Sequence, residues 1–200
     1  MKPDWSRMAN FTAIHHRKTI QMKKTVLVYG LIAGLISSSL SIGLMILGKA
    51  GQEDFKNGML YGYSLMILAF AFIFVATRIT RDRYQDGSIS FGRAFLVGLY
   101  ITLIASTIYV IVWEIDYYCF LSDFAEKYSA HILESLKNSG ASQAEIVKQA
   151  ASMAQFNQMY KNPLFNALIT YWEIVPVGLI VSLISALVLK KKQKTLFGGI

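Results

Sequence analysis

The sequence predicts an all-α integral membrane protein: a four-helix bundle with a helical hairpin outside the membrane between spans three and four. Composition, the bunching of apolar residues and the placement of charge carry that prediction. The chain is 54% hydrophobic and only 16% charged, against about 25% charged in ordinary globular proteins, and its mean hydropathy is +0.41. The apolar residues are gathered into blocks at about 26–47, 58–76, 94–113 and 163–189. Each approaches the ~20 residues a helix needs to cross a bilayer. Such a segment satisfies its backbone groups internally, as a medium without water demands. Lysines and arginines cluster at the ends of these blocks and interleave with no base-stacking aromatics. The net charge of +8 therefore reads as topology rather than as a nucleic-acid surface.

The chain begins with a polar, basic stretch, residues 1–21, that has no clear period. It reads as an upstream extension ahead of a natural start at Met22; the alternative is a disordered cytoplasmic tail. Span one follows at 26–47, too long for the 7–15-residue core of a signal peptide. Gly30 and Gly34 are four apart, a spacing that lets helix backbones approach closely in lipid. Gly58 and Gly62 repeat it in span two. Ala94, Gly98, Thr102 and Ser106 do so in span three, and Gly178, Ser182 and Ala186 in span four. These ladders serve packing within one bundle or association between chains, so a homo-oligomer or a membrane-protein partner is expected beside the lipid bilayer itself.

Between spans two and three, Asp86-Gly87 is a turn signal. Residues 116–161 are the one long polar segment. Phe124, Tyr128, Ile132 and Leu136 recur every four residues, with Asp123 and Glu126 as a capping pair ahead of them. Gly140 ends that helix, and Ser142 with Glu145 forms a capping box for the next. Asn162-Pro163 opens span four, where Pro176 is expected to bend the helix. Residues 195–200 are left as a short tail.

Charge sets the orientation. Residues 1–25 carry six Lys/Arg, residues 77–93 four, and the segment after Leu189 four, with three acids among them. Residues 48–57 and 116–161 together hold six Lys/Arg but seven acids. The excess of positive charge on the cytoplasmic side places both termini in the cytoplasm and the hairpin in the periplasm. Lys190, Lys191, Lys192 and Lys194 would also attract anionic lipid, at about 1 kcal/mol per charge near the surface.

The remaining carboxylates, Glu114 and Glu173, fall inside or beside spans. Counting about 20 residues from each basic boundary puts Glu114 and Glu173 near one outer level, with Trp113 and Trp172 in a shared aromatic belt. Two readings stand. In one, they form an outward-facing pocket with Tyr63, Tyr109 and Tyr171 that binds a proton, cation or amine, since acids partly in lipid are costly and often functional. In the other, they pair with a tyrosine or Lys161 and fix helix depth. Cys119 stands alone, and His15, His16 and His131 share no ligand spacing with the acids, so no metal or other cofactor is expected. Without a nucleophile–base set, the chain reads as non-enzymatic.

A set of motifs places the chain beside a known family. They are Met22-Lys23-Lys24 running into Tyr29-Gly30-Leu31-Ile32-Ala33-Gly34, and Ile89-Ser90-Phe91-Gly92-Arg93-Ala94-Phe95. Trp113-Glu114, Tyr160-Lys161-Asn162-Pro163 and Glu173 with Pro176-Val177-Gly178 complete it. From Met22 to about Lys194 the chain resembles a family of four-span bacterial inner-membrane proteins carrying a domain of unknown function. The resemblance implies a membrane location in a Gram-negative-type bacterium and carries over no activity.

Overall fold

The structure is a computed structural model that describes residues 5–47 and 55–192, with side-chain surroundings from residue 18 onward except at 45 and 55–59. Among the described residues the chain is all-α. Helices α1 (Trp5–Ser37), α2 (Ser39–Ile46) and α3 (Phe55–Ile79) lead into a π-helical turn, Thr80–Tyr84. Then come α4 (Phe91–Cys119), α5 (Phe124–Asn138), α6 (Gln143–Tyr160) and α7 (Pro163–Leu189).

Four segments are long and apolar enough to cross a membrane: Lys18–Ser37, Leu60–Tyr84, Phe91–Cys119 and Pro163–Leu189. The distribution of side chains says the same. Ala33, Ala69, Ala105, Thr102, Ser106 and Ser182 are wholly buried between the helices. Leu35, Ile67, Leu68, Ile111, Leu168, Ile180 and Ile184 point outward. In water that arrangement would forgo roughly 1.5–3 kcal/mol for each large side chain left exposed. In lipid, apolar tails cover the outer face and small residues bring the backbones together. The protein is thus an all-α, multi-pass membrane bundle.

Helices α3 and α4 each pack against the other long helices, and α1 and α7 flank them. The tightest seam is α4 against α7, which run antiparallel. A Cβ added to Gly98 would lie 2.6 Å from the Ser182 hydroxyl, and one on Gly178 would collide with the Thr102 side chain. Thr102 and Ser182 share a hydrogen bond of 3.3 Å. Helices α1 and α4 run parallel, and a Cβ on Gly30 or Gly34 would fall within 2.8 Å of Ile104 or Ile108. A Cβ on Gly62 would meet nothing within 4 Å, so the close approach expected at that position is not made among the described residues. Gly58 lies outside the residues whose surroundings are described.

Several boundaries differ from the sequence reading. Residues 5–21 are helical, continuous with the first span, rather than a disordered tail. The first apolar block is divided at Ser38, where α1 ends and α2 begins, although Ser38 N–H still reaches the Gly34 carbonyl and Ile42 N–H the Ser38 carbonyl. The Ser37 and Ser39 hydroxyls donate back to the carbonyls of Gly34 and Ile36. Such back-bonding by adjacent serines bends helices. By contrast α7 continues unbroken through Pro176. Asp123 makes no capping bond from its side chain; it pairs with Lys127 at 2.8 Å instead. At α6 the Ser142–Glu145 capping box is complete. Asn162 caps α7 by accepting from the N–H groups of Leu164 and Phe165.

Candidate functional site

The chain presents two places where polar chemistry meets the bundle: the junction with the hairpin, and the basic end around the link between α3 and α4.

At the hairpin end, α4 and α7 are held in register by side-chain hydrogen bonds. The Trp113 indole N–H donates at 3.0 Å both to Tyr160 Oη on α6 and to Asn166 Oδ1 on α7. Asn166 is fully buried. Its backbone carbonyl accepts from the Thr170 hydroxyl at 2.9 Å, and its side-chain amide nitrogen has no hydrogen-bond partner. Tyr117, Tyr160, Phe124 and Phe165 pack around Trp113. The rings of Trp113 and Phe124, and of Tyr117 and Tyr160, meet edge to face at 5.1 and 5.3 Å, the arrangement the aromatic quadrupole favours. Farther out, Ser129 and Asn157 join α5 to α6, and Lys161 pairs with Glu126 at 2.9 Å. The hydrogen bond and charge of Lys161 hold the Glu126 carboxyl below the usual carboxylate range, and the same contact raises the lysine. Burial pushes the Tyr160 phenol well above its ordinary value; the donating Trp113 opposes that and the Glu173 carboxylate adds to it.

This geometry reassigns the carboxylates. Trp113 pairs with Asn166 and Thr107 with Tyr171. Glu114 therefore stands level with the start of α7, while Glu173 lies some seven residues farther along, roughly 10 Å at 1.5 Å per residue. They do not share a level, and no hydrogen bond joins them among the described residues. Counting about 20 residues from Arg93 and from Lys190 brought them closer than they are, because the tie of Ile89 to Lys191 sets Arg93 roughly three residues deeper than Lys190 and the two counts start at different depths. Glu114 is half-buried, with Oε1 enclosed and without a hydrogen-bond partner. Glu173 is exposed on the flank of α7. Lys161, one expected partner of these acids, is taken by Glu126. Tyr171 donates to Thr107 at 2.9 Å, Tyr63 is exposed and Tyr109 packs against the core. Trp172 is 78% exposed, as a belt residue is, whereas Trp113 is built into the hairpin junction.

Asn166 carries no charge, so the charge pattern of the sequence does not single it out. A neutral amide in an apolar block is the signal that could have found it, since it must be satisfied inside the bundle. Among the described residues no three His, Cys, Asp or Glu stand together in a way that could hold a metal ion.

The basic end is built differently. Asp86 and Gly87 both adopt positive φ, 52° and 77°. That turn lets Gly87 N–H return to the Arg81 carbonyl at 2.9 Å. Ile89 and Lys191 then exchange both backbone hydrogen bonds, at 3.0 and 2.9 Å, so the exit of α7 is tied to the entry of α4. Lys18 on α1 pairs with Asp86 at 2.7 Å, Thr25 and Tyr84 share a hydrogen bond of 3.2 Å, and Arg93 donates to Gln85 at 2.5 Å. Between α1, α4 and this tied link lies an open groove of about 1390 Å³.

No curated protein and no solved structure matches the chain. The family described as protein of unknown function (DUF4199) matches residues 28–191. The match runs from the middle of α1, through the hairpin, to the tied exit of α7, well over half of the chain. The protein belongs to that family.

Proposed function

We propose that this is a non-enzymatic protein of the bacterial inner membrane that acts through contacts with lipid and with other proteins. Both termini lie in the cytoplasm and the α5–α6 hairpin in the periplasm. The observation that carries the reading is how the bundle interior is filled. From Gly98 against Ser182 to Trp113 against Asn166, the α4–α7 seam is occupied by interlocked side chains, with Phe70, Ile73 and Ile101 buried alongside. A solute route or reaction chamber needs open polar space at mid-depth, and the filled α4–α7 seam supports a reading in which function lies at the surface. The excess of lysine and arginine at the tied end supports the orientation.

The competing reading is a small transporter that moves a proton or cation through Glu114 and Glu173. Their separation along the bundle weighs against it. Reconstitution into vesicles tests the choice. Proton and cation flux should equal that of empty vesicles for both the wild type and Glu173→Gln. A wild-type flux that Glu173→Gln abolishes would replace this proposal with the transporter. In cells, Cys119, the single and exposed cysteine, should react with a membrane-impermeant maleimide from the periplasmic side. Reaction from the cytoplasmic side alone would invert the orientation.

A further inference from the structure

We propose that the groove between α1 and α4 is a binding site for one anionic glycerophospholipid. The head group sits among the lysines at the basic end and an acyl chain lies along the apolar wall. The inference rests on the lipid-contact reading above and gives it a site and a ligand class.

The mouth of the groove is cationic. Lys18 and Lys23 come from α1, Arg93 from α4, and Lys190, Lys191 and Lys192 from the chain leaving α7. Asp86 is the one carboxylate in the lining, and Lys18 already neutralises it. Among the described residues Lys23, Lys190 and Lys192 form no ion pair, and each is exposed. Three separate stretches of chain thus deliver cations to one opening. The Ile89–Lys191 bridge holds the lysine run there rather than leaving it as a free tail.

The wall is apolar and of fixed length. Leu96, Tyr100 and Ile104 on α4 face Val26 and Leu27 on α1 across the groove. From Arg93 to Ile104 the helix rises roughly 16 Å, close to half of a hydrocarbon core about 30 Å thick. The groove closes at that depth, because Gly30 brings α1 onto Ile104 and Gly34 brings it onto Ile108. A slot one leaflet long, sealed near mid-depth and opening onto unpaired lysines, has the shape and charge order of a phospholipid. A soluble phosphate would use the mouth and leave the wall empty. Basic pockets between spans are where anionic head groups are recognised.

The test uses the full-length protein in mixed micelles of phosphatidylcholine and phosphatidylglycerol, read by native mass spectrometry. The wild type should retain phosphatidylglycerol in preference to phosphatidylcholine. Each of Lys23→Gln, Lys190→Gln and Lys192→Gln should lower that preference about fivefold, the ratio equivalent to ~1 kcal/mol per charge. Leu96→Trp, which fills the wall and leaves every charge in place, should also lose the lipid. Lys137→Gln with Lys148→Gln, two exposed hairpin lysines, should change nothing. Equal loss from the hairpin pair would mean diffuse charge attraction and overturn the site. So would an unchanged Leu96→Trp, or displacement of the lipid by inorganic phosphate. Retention in alkali-washed membranes separates the two levels of inference. A chain that washes out defeats the membrane reading, and one that stays without a lipid preference defeats only the groove.

Discussion

The two ends of α4 solve opposite problems. At the hairpin end the Trp113 indole N–H is shared between Tyr160 and Asn166, and aromatic rings exclude solvent around them. At the basic end the polar groups tie down backbone, through Ile89–Lys191 and Lys18–Asp86, and leave lysines unspent around an open groove. One end of the helix is built to hold an element of the same chain. The other is built to stay accessible. The difference shows that ordered structure at a helix end is not by itself a mark of a closed core, since backbone ties such as Ile89–Lys191 can border an open groove.

The comparison is broken most severely at Trp113. Trp113→Ala removes the indole from its aromatic cluster and both hydrogen bonds with it, and the expected loss is about 3–5 kcal/mol of stability in detergent. The hairpin should be released at the same time, so limited proteolysis should cut between α4 and α7. Arg93→Gln at the other end removes an exposed contact with Gln85 and should stay within about 0.5 kcal/mol of wild type. Equal effects at the two positions would erase the distinction between a closed end and an open one.

The asymmetry was only partly legible in the sequence. The apolar blocks and their basic flanks read directly, because hydropathy and the cost of charge in lipid act residue by residue. The Ser142–Glu145 box and the Asn162-Pro163 start were legible for the same reason, since a cap is local chemistry. Depth was not legible. Trp113 and Trp172 look equivalent when residues are counted from each basic boundary, but antiparallel packing of α4 on α7 sets Trp113 against Asn166 and turns Trp172 outward. The groove was also hidden, because it joins Lys23 to Lys190 across most of the chain. The lysines were visible as a run; that a backbone bridge gathers them beside α1 is a tertiary fact.

A second break concerns the seam that links the ends. Gly178→Ala puts a methyl into the Thr102 side chain, with the Phe70 ring at 3.0 Å behind it. Thr102 is buried and bonded to Ser182, so it has no free rotamer to take. Overpacking of this kind should cost about 1–3 kcal/mol. Gly62→Ala, where the added methyl meets open space, should instead stabilise by about 0.5 kcal/mol through the better helix former. Opposite signs, read from thermal melts of the two variants, would show that small residues act here by contact and not by composition. A matched loss at Gly62 would point to a second chain seated on α3.

The smallest effect sharpens the picture at the rim of the closed end. Glu126 and Lys161 join the first helix of the hairpin to the end of α6, where the chain turns into α7, and both are partly exposed. Glu126 has its proton affinity lowered by this contact. It therefore stabilises the folded hairpin above the carboxylate's ordinary value of about 4.3, and loses that contribution as pH falls through its lower folded value. Lys161, raised by the same contact, stabilises below about 10.4 and loses its contribution as pH rises through its higher folded value. Between those limits the protection of the α5 amides, their exchange rate relative to an unprotected amide at the same pH, should be flat, and it should fall slightly on acidification below the carboxylate range. Salt should weaken the pair throughout, as it does exposed ion pairs. Glu126→Gln should remove the acid-dependent part and leave the Trp113 junction intact, because the aromatic cluster carries no charge that titrates in that range. An acid response that survives Glu126→Gln would move its origin to another hairpin carboxylate, for which the Asp123–Lys127 pair is the next to substitute.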